Sequence, residues 1–210
     1  MAFPPSLPRL YAILDVEQIG AGSTEQVCES LLGAGVRLLQ YRHKRGSSRE
    51  MFEGVRRLIP MIHDSGGLLI VNDRADVALV AGADGVHLGQ DDLPVGLARR
   101  VLKPGRWLGC STHNLDQLRI ADASPADYLA FGPIFPTSSK DTPDPTVGLA
   151  GLAEARRATS KPLVAIGGIT VSNARRVMQQ GADFVAVISG LLAAPDVADR
   201  AREYLDALSE

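Results

Sequence analysis

The chain has 210 residues, of which 45% are hydrophobic, and its 22 basic and 24 acidic residues give a formal net charge of −2. A nucleic-acid-binding surface is normally strongly basic, so this charge balance argues against nucleic acid as a partner. The N-terminus lacks the basic start and apolar centre of a signal peptide, and no apolar run approaches the roughly 20 residues that span a bilayer. Two cysteines, Cys28 and Cys110, are too few for a zinc site or a disulfide framework. We therefore expect a cytoplasmic protein that does not enter a membrane.

Apolar runs of strand length alternate with segments of helical period along the chain. The predicted strands are residues 10–14, 36–41, 68–71, 85–88, 107–110, 128–131, 163–166 and 184–188. The predicted helices are residues 23–32, 48–63, 74–81, 94–102, 114–123, 149–159, 172–180 and 194–208. Most of the strands are apolar throughout, which is typical of parallel strands that are covered on both faces.

Eight strand–helix units in a chain of this length predict an α/β fold, a single (β/α)8 TIM barrel, as one catalytic domain over residues 1–210. The alternative is an open doubly wound sheet. That fold would usually carry a GxGxxG motif after its first strand. Here residues 15–20 read DVEQIG, so the barrel is favoured.

The second predicted strand begins as an apolar segment and ends in a polar cluster, VRLLQYRHK over residues 36–44. Side chains alternate between the two faces of a strand, so His43 is expected to point away from the face that carries the cations. The residues that share that face are Val36, Leu38, Gln40, Arg42 and Lys44. Converging cations at a strand end predict an anionic ligand, because Arg and Lys both bind phosphate oxygens. The alternative is a solvated strand end with ordinary loop charges.

A TIM barrel carries its active site at the carboxyl ends of its strands. In this chain, polar and glycine residues follow nearly every apolar run. They are Gln40, Arg42 and Lys44, then Asn72 and Asp73, residues 90–92, residues 111–114, residues 137–140, Gly167 and Gly168, and Ser189 and Gly190. The opposite end of the barrel has mainly Gly, Ala, Pro and ordinary surface charges.

Two carboxylates follow neighbouring strands and are candidates for one hard cation. Magnesium typically takes one or two carboxylates together with substrate phosphate oxygens. With Arg42 and Lys44 one strand away, Asp73 and Asp92 therefore predict a diphosphate ligand. The alternative for Asp73 is that it caps the helix that follows. Spacing alone does not choose between Asp91 and Asp92.

A second anion site is predicted after the seventh and eighth strands. Gly167 and Gly168, and then Ser189 and Gly190, offer backbone amides and close approach where barrels often hold a phosphate. Two anion sites imply two phosphorylated substrates or one long one. Of the histidines, His113 is the one placed for acid–base chemistry, whereas His87 is expected to be a hydrogen-bonded residue of the barrel.

These residues, in this order, resemble the thiamine-phosphate synthase family over nearly the whole chain. The matching motifs are QYRHK at residues 40–44, VNDRADVALVAGADGVHLGQDD at 71–92, GCSTH at 109–113, FGPIFPTSSK at 131–140, AIGGI at 165–169 and VAVIS at 185–189. The resemblance implies that hydroxymethylpyrimidine diphosphate condenses with thiazole phosphate to give thiamine phosphate and pyrophosphate. It implies loss of diphosphate to a pyrimidine carbocation, which the thiazole nitrogen captures.

The resemblance also implies roles for individual residues. For the pyrimidine diphosphate these residues are Gln40, Tyr41, Arg42, His43, Lys44, Asn72, Ser111 and Lys140. For the thiazole phosphate they are Thr137, Ser138, Ser139, Gly168, Ile188 and Ser189, with Ser139 where the family often has Thr. Asp73 and Asp92 are implied as ligands of Mg2+, and Arg42, Lys44 and Lys140 as the catalytic cations. The long loop over residues 132–147 is expected to close over the diphosphate and deliver Lys140.

Three other functions are weighed against this one. A thiazole tautomerase of the same fold would use His113, but it has no need of two metal-binding aspartates and three diphosphate cations. A sugar-phosphate isomerase or epimerase would explain the glycine-rich sites but not Arg42, Lys44, Asp73 and Asp92. A binder of thiamine precursors would bind without turnover. The sequence leaves open the oligomeric state, a homo-oligomer included, and the role of Asp15.

Overall fold

The structure is a computed structural model that describes residue 4 and residues 7–20, 22–137 and 144–209. Eight parallel strands pair in chain order, and β8 pairs with β1, so that the sheet closes into a barrel. The strands are β1 Leu10–Asp15, β2 Leu38–Arg42, β3 Leu68–Asn72, β4 Gly85–Leu88, β5 Trp107–Thr112, β6 Tyr128–Phe131, β7 Leu163–Ile166 and β8 Phe184–Val187. The predicted (β/α)8 TIM barrel is confirmed.

Helices surround the barrel. Those in the described part of the chain are α1 Val16–Ile19, α2 Thr24–Gly33, α3 Ser48–Asp64, α4 Ala75–Ala81, α5 Val95–Val101, α6 Leu115–Asp122, α7 Gly148–Ala158, α8 Val171–Gln179, α9 Ser189–Leu192 and α10 Val197–Ser209. No described helix combines the length and the apolar character that crossing a bilayer requires.

Local sequence explains where α3 begins and where α4 ends. Ser47 and Glu50 form a capping box at the start of α3, in which the Ser47 side chain accepts the Glu50 backbone N–H at 3.3 Å and Glu50 accepts that of Ser47 at 2.8 Å. Gly82 ends α4 in the left-handed conformation, with φ 86°, where a residue without a side chain is not strained.

Side chains from the strands divide between two layers. One cluster lies inside the barrel and comes from alternating strand positions: Tyr11, Leu38, Ile70, Trp107, Tyr128, Ala130, Val164, Phe184 and Ala186. The larger cluster lies between the strands and the helices and includes Leu39, Tyr41 and Val71. The inner layer therefore forms the floor of any binding site at the mouth of the barrel.

The second strand differs from its prediction at both ends. It begins at Leu38 and not at Val36, because Gly35 still carries the helix-to-strand turn, with φ 106°. Val36 belongs to the outer cluster, so the expectation that it shares a face with Leu38 is wrong. The alternation does hold from Leu38 through Gln40 to Arg42, which ends the strand and leaves Lys44 in the loop beyond it.

Candidate active site

A cavity opens at the carboxyl ends of the strands, the end of the barrel at which the sequence predicts the site. It holds about 990 Å³ of empty space, part of which is open to solvent. The predicted site residues that line it are Gln40, Arg42, Asn72, Ser111, Thr137, Gly168, Ile188 and Ser189. The fold therefore brings residues from β2, β3 and β5 together with residues from the segments that follow β6, β7 and β8 around one space.

Arg42 is held in place by a buried carboxylate. Its guanidinium donates to Oδ2 of Asp15, and Asp15 is 0% exposed. Oδ1 of Asp15 accepts the backbone N–H of Gln18 at 3.2 Å and so caps α1. A charge is stable in such a position only when it is paired and hydrogen-bonded. Asp15, whose role the sequence leaves open, therefore orients the cation that points into the cavity.

The two candidate metal-binding carboxylates are neighbours beside the cavity. Nζ of Lys44 donates to Oδ2 of Asp73, and Oδ2 of Asp92 accepts the backbone N–H of Gly89 at 2.7 Å. Burial, and after it the hydrogen bond with Asp92, raise the pKa of Asp73 from 3.8 to about 6, although Lys44 lowers it. Asp91 is exposed, so Asp92 is the carboxylate that faces Asp73.

The backbone at Asp73 has an unusual conformation, and its side chain does not cap the next helix. Among the described residues it is the one non-glycine residue with positive φ, 63°. Its N–H donates to the carbonyl of His87 at 2.8 Å, which ties this turn to β4. The helix α4 has Arg74 as its N-cap, without a side-chain capping bond, so the alternative in which Asp73 caps that helix is wrong. Strained backbone of this kind is a feature of functional sites.

Five polar side chains form a continuous hydrogen-bonded chain beneath the cavity, and we name them the floor chain: Gln40, Tyr11, Tyr128, His87 and Ser111. Nε2 of Gln40 donates to Oη of Tyr11 at 2.8 Å, and the two tyrosine oxygens are 3.1 Å apart. Oη of Tyr128 lies 3.0 Å from Nδ1 of His87, whose Nε2 lies 2.8 Å from Oγ of Ser111. His87 is thus the hydrogen-bonded barrel residue that the sequence predicts. The sequence does not identify Tyr11 and Tyr128, because both lie in strands that are apolar on either side.

The other half of the cavity is built from backbone. Gly167 and Gly168 follow β7 with φ values of 88° and 64°, and Ser189 opens the short helix α9 directly after Ile188. A Cβ on Gly168 would lie 2.6 Å from the carbonyl oxygen of Pro136. Only glycine fits this position, and it leaves backbone amides accessible to an anion.

Comparison with known proteins places the chain in a family. The family model described as thiamine monophosphate synthase matches residues 10–191. The chain belongs to this family. It is 50% identical over 212 residues to the thiamine-phosphate synthase of Koribacter versatilis, with 99% of each chain covered. It is 46% identical over 195 residues to that of Chloroflexus aurantiacus, with 93% of this chain and 90% of the relative covered.

A solved structure agrees with the thiamine-phosphate synthase family in fold and sequence. The thiamine phosphate pyrophosphorylase from Pyrococcus furiosus superposes with a TM-score of 0.88 at 34% identity, and 96% of each chain is covered. The predicted family and its barrel are therefore confirmed.

Part of the thiamine-phosphate synthase motif after β6 lies outside the described residues, namely Ser138, Ser139 and Lys140. Thr137, just before them, lines the cavity. His113 lies beside it, with Nδ1 2.7 Å from the carbonyl oxygen of Gly132 and 3.5 Å from Oδ2 of Asp144. This histidine lines the cavity, and its acid–base role stays a prediction.

Two residues of the family motif do not turn their side chains to the cavity. Tyr41 is buried in the outer cluster, with Oη 3.4 Å from Nδ1 of His43. A Cβ on Gly54 of α3 would collide with the Tyr41 ring, and one on Gly46 would lie 2.6 Å from Cε1 of His43. The structure thus places both side chains on the helix side of β2, away from Gln40 and Arg42.

The acidic residues fit magnesium but do not complete a site by themselves. Among the residues that the structure describes, no three side chains of His, Cys, Asp or Glu cluster as metal ligands. Two adjacent carboxylates, Asp73 and Asp92, supply the hard oxygen donors that magnesium prefers, and their mutual repulsion is relieved by a cation. The remaining ligands of an ion here would come from water and a substrate diphosphate.

Proposed function

We propose that the protein condenses 4-amino-2-methyl-5-hydroxymethylpyrimidine diphosphate with 4-methyl-5-(2-phosphoethyl)thiazole, or its carboxylated tautomer, to give thiamine phosphate and pyrophosphate. With the carboxylated tautomer, carbon dioxide is released as well. The observation that carries the proposal is that one cavity has two chemically different halves. Arg42, with Lys44 and two carboxylates nearby, occupies one half, and the glycine-rich ends of β7 and β8 occupy the other. A diphosphate with a metal ion suits the first half, and a single phosphate suits the second.

The diphosphate half is arranged to hold a leaving group. Arg42 is oriented by Asp15, and Asn72 lies beside it on the cavity wall. The side chain of Lys44 is 49% exposed, and its long aliphatic stem would let the ammonium group exchange Asp73 for a phosphate oxygen. Asp73 and Asp92 would hold magnesium, which when bound neutralises charge on the diphosphate oxygens.

In this proposal each ring occupies its own part of the cavity. Gln40 and Ser111 lie at its floor, where the pyrimidine ring would rest. Gly168, Ile188 and Ser189 would bind the thiazole phosphate through backbone amides and a hydroxyl, with Thr137 near the thiazole. Ser138, Ser139 and Lys140 are proposed to approach the two substrates from the loop after β6.

The proposed reaction needs charge stabilisation more than acid–base chemistry. The bond between the pyrimidine methylene carbon and the diphosphate oxygen breaks, and its electron pair leaves with pyrophosphate. The lone pair of the thiazole nitrogen then forms a carbon–nitrogen bond to the resulting carbocation. Arg42, Lys44 and Lys140 would stabilise the negative charge that develops on the leaving group, which is electrostatic catalysis by preorganised cations.

The test is to mix the purified protein with both substrates and magnesium and to measure thiamine phosphate and pyrophosphate. Asp92→Ala should lower kcat/KM by about 100-fold, the usual scale for losing one electrostatic contact to a transition state. Asp91→Ala is the matched control, because it removes a neighbouring carboxylate that is exposed. Equal loss in both variants would contradict the assignment of Asp92.

The tautomerase of the same fold remains the second candidate, because His113 lies on the cavity wall. It predicts a different result in the same assay. A folded protein that binds thiazole phosphate and isomerises it, but makes no thiamine phosphate, would refute the proposed condensation. His113→Ala would then abolish the isomerisation.

A further inference from the structure

The number of protons on each group limits the directions in which the floor chain can run. Gln40 donates from Nε2 to Oη of Tyr11 at 2.8 Å, so the tyrosine oxygen is an acceptor in this contact. A phenol has a single proton. Oη of Tyr128 lies 3.1 Å away, and either oxygen of this pair can be the donor. Donation by Tyr11 would use its one proton within the barrel.

The same reasoning continues to the other end of the chain. When Tyr128 accepts from Tyr11, its own proton is available to Nδ1 of His87 at 3.0 Å. A neutral imidazole that accepts at Nδ1 carries its proton on Nε2. That nitrogen lies 2.8 Å from Oγ of Ser111, which accepts and keeps its own O–H to donate into the cavity.

We infer that the floor chain runs in this direction, from Gln40 to Ser111. Tyr11, Tyr128 and His87 are then positioning residues that set the hydrogen-bonding polarity of the pyrimidine pocket, with Gln40 Oε1 as the acceptor at one end and the Ser111 hydroxyl as the donor at the other. This inference rests on the proposed function for the identity of the ligand. An aminopyrimidine presents an amino donor and a ring-nitrogen acceptor, which match those two ends. A ring with a carbonyl in place of the amino group would meet the Gln40 oxygen with an acceptor of its own.

The surroundings keep the chain intact and its two tyrosines protonated. Tyr11, Tyr128 and His87 are 1%, 0% and 7% exposed, so little water competes for their hydrogen bonds. Burial raises the pKa of both tyrosines above their usual range, so that each keeps its proton. The wall of β5 also makes room for the contact, because a Cβ on Gly109 would collide with both Tyr128 and His87.

The first test requires no substrate. Nitrogen NMR of the protein with labelled histidine reports which ring nitrogen carries the proton, and the His87 signals are assigned by their loss in His87→Gln. We expect the Nε2-protonated tautomer of His87 in the parent and loss of that preference in Tyr128→Phe. An Nδ1-protonated His87 in the parent would overturn the direction of the chain.

The second test is kinetic. Tyr128→Phe keeps the ring and removes the central hydroxyl, so the KM for the pyrimidine diphosphate should rise about tenfold, the size of one lost buried hydrogen bond. The KM for the thiazole phosphate should stay within about twofold, since two separate half-sites behave additively. Discrimination against the pyrimidine analogue with an oxo group in place of the amino group should fall in the same variant.

Tyr204→Phe is the matched control. Its phenol is also fully buried, but its hydroxyl donates to the carbonyl of Ile169 at 3.0 Å, far from the floor chain in the sequence and on the thiazole side. It should lose comparable thermal stability with no change in the pyrimidine KM. An equal rise of that KM in both variants would show that general packing, and not the floor chain, is responsible. If the parent makes no thiamine phosphate, the proposed function fails, while the tautomer of His87 still decides whether the chain has the inferred direction.

Discussion

Replacing Asp73 by Asn should stabilise the metal-free protein while abolishing its activity. The carboxylate is buried beside Asp92, and its pKa is raised from 3.8 to about 6. At neutral pH Asp73 is therefore ionised in both states, and its negative charge costs more free energy in the folded protein than in the unfolded chain. Asn has nearly the same shape and also tolerates the left-handed backbone that Asp73 adopts, with φ 63°. The substitution removes the charge without adding strain.

The magnitude follows from the shift in the pKa of Asp73. A rise from 3.8 to about 6 corresponds to at most about 3 kcal/mol of unfolding free energy at about 1.36 kcal/mol per pH unit. The side chain retains 17% exposure, and solvent screens part of the effect, so a gain of about 1 to 2 kcal/mol is expected. For a chain of this size that gain raises Tm by about 2 to 8 °C.

The sign of the pH dependence provides the sharper test. Because the folded pKa of Asp73 lies above the unfolded value, the parent loses stability as pH rises from about 4 to about 6, and the loss is complete above that window. Thermal unfolding with a chelator present should thus show a gain in Asp73→Asn at pH 7 that disappears near pH 4. Added magnesium and pyrophosphate should stabilise the parent and not the variant. A variant that is less stable than the parent at pH 7, or a gain that persists at pH 4, would refute the reasoning.

Two further substitutions test the separate halves of the cavity. Asp15→Asn removes the negative charge that pairs with Arg42. In steady-state assays the KM for the pyrimidine diphosphate should therefore rise about tenfold, while the KM for the thiazole phosphate stays unchanged. Equal changes in both KM values would contradict a role confined to Arg42. Gly168 has a φ of 64°, and Gly168→Ala would place a Cβ 2.6 Å from the carbonyl oxygen of Pro136. The substitution should therefore cost about 1 to 3 kcal/mol of stability and raise the KM for the thiazole phosphate. Gly66→Ala is its control, because it has a similar φ of 71° with nothing within 4 Å, and it should cost stability without any effect on that KM.

The sequence predicts the barrel well because its strands are short apolar runs between clear helix stops. The boundaries are wrong where a turn contains apolar residues. Val36 has the composition of a strand residue, but Gly35 keeps the chain in a turn until Leu38. The short helices α1 and α9 are missed because four residues are too few to show a helical period.

The site is predictable where a polar residue interrupts an apolar pattern, and less so where it does not. Gln40, Arg42 and Asp73 stand out directly after apolar runs, and the structure places Gln40 and Arg42 in the cavity and Asp73 beside it. Tyr11 and Tyr128 do not stand out, because in a strand that is buried on both faces a tyrosine looks like an ordinary core residue. Periodicity alone does not say which face of such a strand points into the barrel.

The directional floor chain has a consequence for how this cavity changes during evolution. In the inferred direction, the neighbour of each group determines whether that group donates or accepts. One substitution in the floor chain therefore changes the donor or acceptor role of every group after it. A change of preferred heterocycle therefore requires coordinated substitutions on strands that are distant in sequence, such as Tyr11 on β1 and Ser111 on β5. A series of single substitutions would include poorly active variants, so substitutions in this half of the cavity would be epistatic. The backbone-built phosphate half has no such dependence, and it is the half that is free to accept a new substrate in small steps.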